Sequence, residues 1–135
     1  MVTLAVFVLV QAMAITAPEQ TRVDSLVAST STTGTGPALF YVATATPVKH
    51  DPFITISGTT ATISVRGTDG STTTLHPQTD AHYISDIWVK DQTGAVIYYA
   101  ALEGSAAAPT TTFTVPAGTT SLTPFEFCNL HGWVI

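Results

Sequence analysis

From Leu39 to the C-terminus, apolar residues alternate with Thr, Ser and other small polar residues in short runs closed by turn-forming residues. The runs are "LFYVATA", "FITISG", "TATISVRG", "HYISDIWVK", "AVIYYAAL", "TTFTVPAG" and "FEFCNL". A period of two sends successive side chains to opposite faces, so each run reads as a strand with one buried side. Turn signals separate them at Ser57-Gly58, Asp69-Gly70, Asp91-Gln92-Thr93-Gly94 and Ala117-Gly118. Short strands at this spacing predict an all-β fold, a seven-stranded antiparallel immunoglobulin-like sandwich. Charged residues make up only 10% of the chain, so long solvated helices have little to build on. Thr and Val favour the pleated alternative.

The chain before residue 38 follows other rules. Residues 2–15, "VTLAVFVLVQAMAI", are apolar apart from Thr3 and Gln11. As a helix they would reach about 21 Å, short of the roughly 30 Å of a bilayer's hydrocarbon. Three readings stand side by side: a signal-peptide core with Ala12-Met13-Ala14 as its cleavage site, an anchor dipping into a membrane, or a helix buried against a partner. No Lys or Arg precedes the segment, which counts against the first. Thr16 with Glu19 three residues on forms a capping box, predicting a short helix over about 17–29 with Val23, Leu26 and Val27 on one side. "STSTTGTGP" (29–37) has the composition of a flexible linker. The expected organisation is an apolar N-terminal segment, short helix and linker at 1–37, followed by a β domain at 38–135.

Nine acids stand against four bases, a net charge of −5. The bases Arg22, Lys49, Arg66 and Lys90 form no basic run, which disfavours nucleic acid as a partner. The single cysteine, Cys128, excludes an intrachain disulfide and any cysteine-only metal centre.

Cys128 lies three residues before His131, and the other histidines are His50, His76 and His82. Taken singly, each His reads as an ordinary surface or core side chain, and a lone buried Cys as a small hydrophobe. Taken together, four imidazoles and one thiolate make a mixed N/S donor set suited to iron, copper or zinc. Structural zinc uses four ligands. Blue copper uses two His, one Cys and a weak Met, but Met1 and Met13 both lie in the apolar leader. Five ligands fit a square pyramid, with four nitrogens in the base, sulfur at the apex and one open position opposite the sulfur.

The segments "KHDPFI", "HPQTDAHYI" and "CNLHGW" resemble the superoxide reductase family, the iron domain also called neelaredoxin or the second domain of desulfoferrodoxin. "VPAGTTSLTPFEFCNLHG" is similar to the family's approach to its last strand. The resemblance spans about residues 38–133 and implies the same immunoglobulin-like sandwich. Carried over by position, it implies His50, His76, His82 and His131 as equatorial ligands of one mononuclear iron. It implies Cys128 as the axial thiolate and Lys49 as the catalytic lysine near the open face. Two departures stand out. Val48 occupies the place of a family glutamate able to ligate the oxidised iron, and Gly132 and Trp133 are adjacent where the family usually has a residue between. The extra four-cysteine centre of two-iron members is absent, so a one-iron form is implied.

The implied activity is one-electron reduction of superoxide to hydrogen peroxide. It needs an external electron donor, rubredoxin-like or another small redox protein. The thiolate would push electron density toward the open position, and Lys49 would attract the anion. Asn129 is a candidate for tuning the sulfur. Tyr83, Trp88 and Trp133 are expected in the sandwich core, and Asp51, Asp80 and Asp86 on solvated turns or strand faces. A competing reading is an accessory subunit of a membrane assembly, docked through residues 2–15 and keeping the fold as scaffold; another is a copper electron carrier. The apolar start and low charge point to an extracytoplasmic or lumenal membrane face.

Overall fold

The computed structural model describes residues 15–29, 50–66, 74–102, 104 and 108–134. Helix α1 (Ala17–Ser29) precedes strands β1 (Asp51–Ser57), β2 (Thr60–Arg66), β3 (Ile84–Asp91), β4 (Val96–Ala101), β5 (Thr110–Thr114), β6 (Leu122–Cys128) and β7 (Gly132–Val134). They form two antiparallel sheets, β1-β2-β5 and β4-β3-β6-β7. This is the immunoglobulin-like sandwich that the alternation predicts. The expected run "LFYVATA", the turn at Asp69-Gly70 and most of the 29–37 linker lie outside the described residues.

Helix α1 starts as its capping box requires. Glu19 Oε2 accepts from the Thr16 backbone N–H at 2.6 Å and from its hydroxyl at 2.8 Å, and Thr16 Oγ1 faces the Glu19 N–H at 3.4 Å. Two donors that would otherwise lack intrahelical partners are thereby met. The β3–β4 turn is held by Asp91, whose Oδ1 accepts from the N–H and hydroxyl of Thr93 at 2.8 and 2.6 Å. Gly94 then adopts a φ of 81°, the left-handed conformation that a residue without Cβ takes at no steric cost.

Between the sheets, Ile63 and Val65 of β2 meet Ile84, Ile87, Val89 and Cys128 of β3 and β6. The outer face of β3 and β6 is also covered: Val23 and Leu26 of α1 pack on Trp88, Val96 and Phe125. With both faces buried, β3 reads as a nearly continuous buried run from Ile84 to Val89. Trp88 is therefore in the core beneath the helix, not between the sheets. It lies 5.3 Å from the Phe125 ring at an interplanar angle of 3°.

The expectation of a solvated Asp86 does not hold. Its carboxylate is 1% exposed, on the strand face that α1 covers. Arg22 donates to both oxygens at 3.0 and 2.9 Å, Tyr99 to Oδ1 at 2.6 Å and Ser85 to Oδ2 at 2.6 Å. These donors hold Asp86 below its ordinary pKa despite burial, and burial with the Asp86 bond lifts Tyr99 to about 12. Strand β7 has no counterpart in the predicted runs. It pairs with β6 through Cys128↔Gly132, Phe127↔Trp133 and Glu126↔Val134.

Candidate metal centre

The cluster forms at one end of the sandwich, where three separate segments meet. His50 immediately precedes β1, His76 and His82 lie between β2 and β3, and Cys128 and His131 flank the β6–β7 turn. His50, His76 and Cys128 are buried, while His82 and His131 are half-buried. The donor atoms of His50, His82, Cys128 and His131 all lie within 4.8 Å of one another. His76 joins them, its Nε2 being 3.0 Å from His82 Nε2. His131 Nδ1 lies 3.0 Å from His50 Nε2 and 3.5 Å from Cys128 Sγ. Lys49 and Val48 lie outside the described residues.

Local hydrogen bonds explain how residues 81 positions apart come together. The His76 N–H donates to Val65 O at 3.0 Å, tying that loop to β2. Thr79 and His82 exchange backbone bonds at 3.0 and 3.1 Å, a tight turn that folds His82 back on His76. Gln78 locks the loop to β3: its Oε1 accepts from the Ile84 N–H at 2.7 Å, and its amide donates to Ile84 O at 3.1 Å. Asn129 joins the two ligand loops. Its Oδ1 accepts from the Tyr83 N–H at 2.8 Å and its Nδ2 donates to Ala81 O at 3.1 Å. At 3.9 Å from Cys128 Sγ, its Oδ1 serves the loop more than the sulfur.

Two rings are oriented by acceptors outside the cluster. His76 Nδ1 sits 2.6 Å from Pro77 O, and a carbonyl can only accept, so the proton is on Nδ1 and the Nε2 lone pair faces inward. His50 Nδ1 lies 2.9 Å from Glu126 Oε1. Glu126 was not among the residues singled out from the sequence. A signal was there: it lies two positions before Cys128, and in a strand that spacing places both on one face.

Burial governs the electrostatics. It depresses His50 to about 3, helped by the neighbouring rings, and His76 to about 4. Burial also lowers His131 and raises the Cys128 thiol, against hydrogen bonds from the Leu130 and His131 backbone that favour the thiolate. Glu126 is raised well above 4.5, again by burial. The His50–Glu126 contact has ion-pair distance, but both shifts oppose separated charges, so it is a hydrogen bond with an uncharged ring.

A pH dependence follows for the metal-free protein. Unfolded rings take up protons below 6.5, whereas folded His50 and His76 do so only near 3 and 4, so their stability is lost as pH falls from 6.5. Each ring contributes up to about 1.4 kcal/mol per pH unit. Glu126 acts oppositely, losing stability as pH rises above 4.5. His131 is shifted the same way as His50 and His76, so three rings outweigh one carboxyl and the metal-free protein should lose stability on acidification from pH 6 to 5. Urea midpoints across that range measure it. A midpoint that rises on acidification would contradict buried, uncharged rings.

The donor set suits a metal. Two ligands at about 2.1 Å from an ion are about 3.0 Å apart at right angles and about 3.4 Å apart in a tetrahedron. Both nitrogen–nitrogen contacts are 3.0 Å, nearer the right-angled arrangement. Soft sulfur with imidazole excludes the oxygen-seeking ions Mg²⁺ and Ca²⁺.

A family model described as desulfoferrodoxin matches residues 42–134. The chain belongs to the desulfoferrodoxin family. Solved structures agree with that membership. The superoxide reductase of Treponema pallidum is 31% identical with a TM-score of 0.52, over 64% of this chain and 64% of that one. The one-iron superoxide reductase of Giardia intestinalis is 26% identical with a TM-score of 0.55, over 65% of this chain and 94% of that one. Neelaredoxin from Archaeoglobus fulgidus, at 24% identity and a TM-score of 0.57, shares the fold over 72% of this chain and 94% of its own. The desulfoferrodoxin-family chain thus spans about two-thirds of the Treponema protein's length. No curated protein sequence matches it. The family's cofactor is a mononuclear iron, and the His/His/Cys/His cluster of this desulfoferrodoxin-family protein could bind one.

Proposed function

We propose that the protein reduces superoxide by one electron to hydrogen peroxide, with His50, His76, His82, His131 and Cys128 as the ligands of one iron. The convergence of these five donors, with nitrogen pairs at 3.0 Å, supports the reading most. Iron held by these five residues would supply the one-electron chemistry that the anion needs. The residues of the chain do the rest. Buried, uncharged rings keep their lone pairs free of protons at neutral pH. The folded β6–β7 turn delivers the thiol and one ring from positions three apart. Lys49, next to His50 in sequence, draws in the anion and orders a water able to donate a proton. Superoxide, one electron and two protons balance hydrogen peroxide, with the electron coming from a separate donor such as a rubredoxin-like protein.

We take residues 38–135 as the working domain and residues 2–15 as its contact with a membrane or membrane complex, on an extracytoplasmic or lumenal face. Among the described residues, no helix is long and apolar enough to cross a membrane.

Elemental analysis of the purified full chain should find about one iron per chain, and superoxide consumption should be fast and fall with ionic strength. Lys49→Met is expected to lower the second-order rate about tenfold and flatten its salt dependence, because local charge steers an anion over roughly a Debye length of 8 Å. An iron-loaded protein inert toward superoxide would end this reading.

A further inference from the structure

Glu126 is a poor choice for the place it occupies. It sits in the middle of β6, 0% exposed, its Cα paired with Ile87 on one side and Val134 on the other. Its side chain points into the sandwich on the same face as Cys128, where its companions include Ile63, Val65, Ile84 and Val89. Burying a carboxyl in apolar surroundings is costly unless its oxygens are satisfied. Here Oε2 has no hydrogen-bond partner among the described residues. Among the described residues, its side-chain bonding goes through Oε1 to one atom: Nδ1 of His50, at 2.9 Å.

That atom belongs to the opposite sheet. His50 stands at the entrance to β1, so the bond crosses the sandwich. An imidazole can bind a metal only through a nitrogen without a proton, and a rotation of half a turn about its ring bond swaps each nitrogen for a carbon. An acceptor fixed at Nδ1 settles both matters. It keeps the proton on Nδ1 and leaves the Nε2 lone pair facing His131 Nδ1, 3.0 Å away. His76 obtains the same service from the carbonyl of its neighbour Pro77. For His50, among the described residues, the acceptor is a side chain brought from across the core.

We propose that Glu126 is a positioning residue of the metal centre: its reach across the sandwich to His50 Nδ1 sets that ring's orientation and tautomer. The inference rests on the proposed ligand set. It is the placement of an acceptor atom that matters, not the acid function. Gln has the same length and a carbonyl oxygen in the place of Oε1. Asp keeps the acid but is one methylene shorter, and its oxygen falls short of the ring.

The test is cobalt(II) affinity of the metal-free full chain, measured by competition with a chelator, for the wild type, Glu126→Gln and Glu126→Asp. Glu126→Gln should bind within about threefold of wild type. Glu126→Asp should bind ten- to a hundredfold more weakly, the usual range for losing a partner behind a ligand. An Asp variant as tight as wild type, or a Gln variant weaker than the Asp one, overturns the proposal. Should the Asp variant fail to fold, the Gln variant decides alone: affinity within threefold with an unchanged cobalt ligand-field spectrum supports it, and a tenfold loss overturns it. A wild type that takes up no metal instead removes the ligand assignment itself, and one that binds metal but is inert to superoxide removes only the proposed activity.

Discussion

Cys128→Ser should leave a folded protein that consumes superoxide at least a hundredfold more slowly, about 2.7 kcal/mol of lost transition-state stabilisation. The thiol is fully buried in the inter-sheet core, with its sulfur 3.5 Å from His131 Nδ1. A serine hydroxyl is smaller, harder and stays protonated near neutral pH, so it offers the metal neither the charge nor the polarisability of a thiolate. Stability should fall by only about 1–2 kcal/mol, since the substitution buries a weakly satisfied hydroxyl among Ile63, Ile84 and Ile87. If Cys128 ligates iron, the iron-loaded wild type should show a thiolate-to-iron charge-transfer absorption that the iron-loaded variant lacks. A second readout separates the thiol from the rings. Burial lifts the Cys128 thiol above 9.0, so metal uptake at pH 6–8 must displace its proton, whereas His50 and His76 carry none to displace. Apparent metal affinity in the wild type should therefore rise about tenfold more per pH unit than in Cys128→Ser. Equal slopes, or a serine variant as fast as the wild type, would place the thiol outside the centre.

The helix and most strands were legible because their determinants are local. Thr16 and Glu19 announce the start of α1 within one turn of chain, and the alternation of "TATISVRG" needs no partner to be read. The donor residues were legible for a different reason: four His and one Cys in a charge-poor chain are few enough to be counted. What stayed hidden was long-range. Asp86 looked like an outward strand residue, and it is one; nothing in its neighbours reveals that Arg22, 64 positions earlier, arrives on a helix to cover it. Trp88 shares that face and that fate. Glu126 could be placed on the Cys128 face by counting, but its partner is 76 positions away. Strand β7 spans three residues, too few to show a period, and exists because Gly132, at φ 83°, turns the chain back onto Cys128. Gln78 acts on backbone atoms of β3 and Asn129 on those of another loop, for which residue type carries no signal.

The helix lies outside the segment that matches the family model, so its contribution can be removed without touching the ligands. Trp88→Ala should destabilise the protein by about 3–5 kcal/mol, the range for losing a buried aromatic side chain. Trp88 is 0% exposed, stacked on Phe125 and capped by Val23 and Leu26, so its loss opens a cavity between α1 and the sheet. Among the described residues of the helix's apolar stripe, Val23 and Leu26 are buried and Val27 is half-buried, and the ion pair to Asp86 comes from an Arg22 side chain that is 48% exposed. With the tryptophan gone, α1 is held by the remaining packing of Val23 and Leu26 on Val96 and Phe125 and by the Arg22–Asp86 pair, a partly solvated pair contributing about 1 kcal/mol. Chemical denaturation should report the loss of stability, and limited proteolysis should cut between α1 and β1 sooner than in the wild type. The ligand cluster should survive, because Ile84, Ile87 and Val89 pack from the other face of β3 against Ile63, Val65 and Cys128. Metal affinity within a few-fold of wild type is therefore expected beside the large stability change. A Trp88→Ala protein that loses both together would mean that the outer face and the metal end of the sandwich are one cooperative unit.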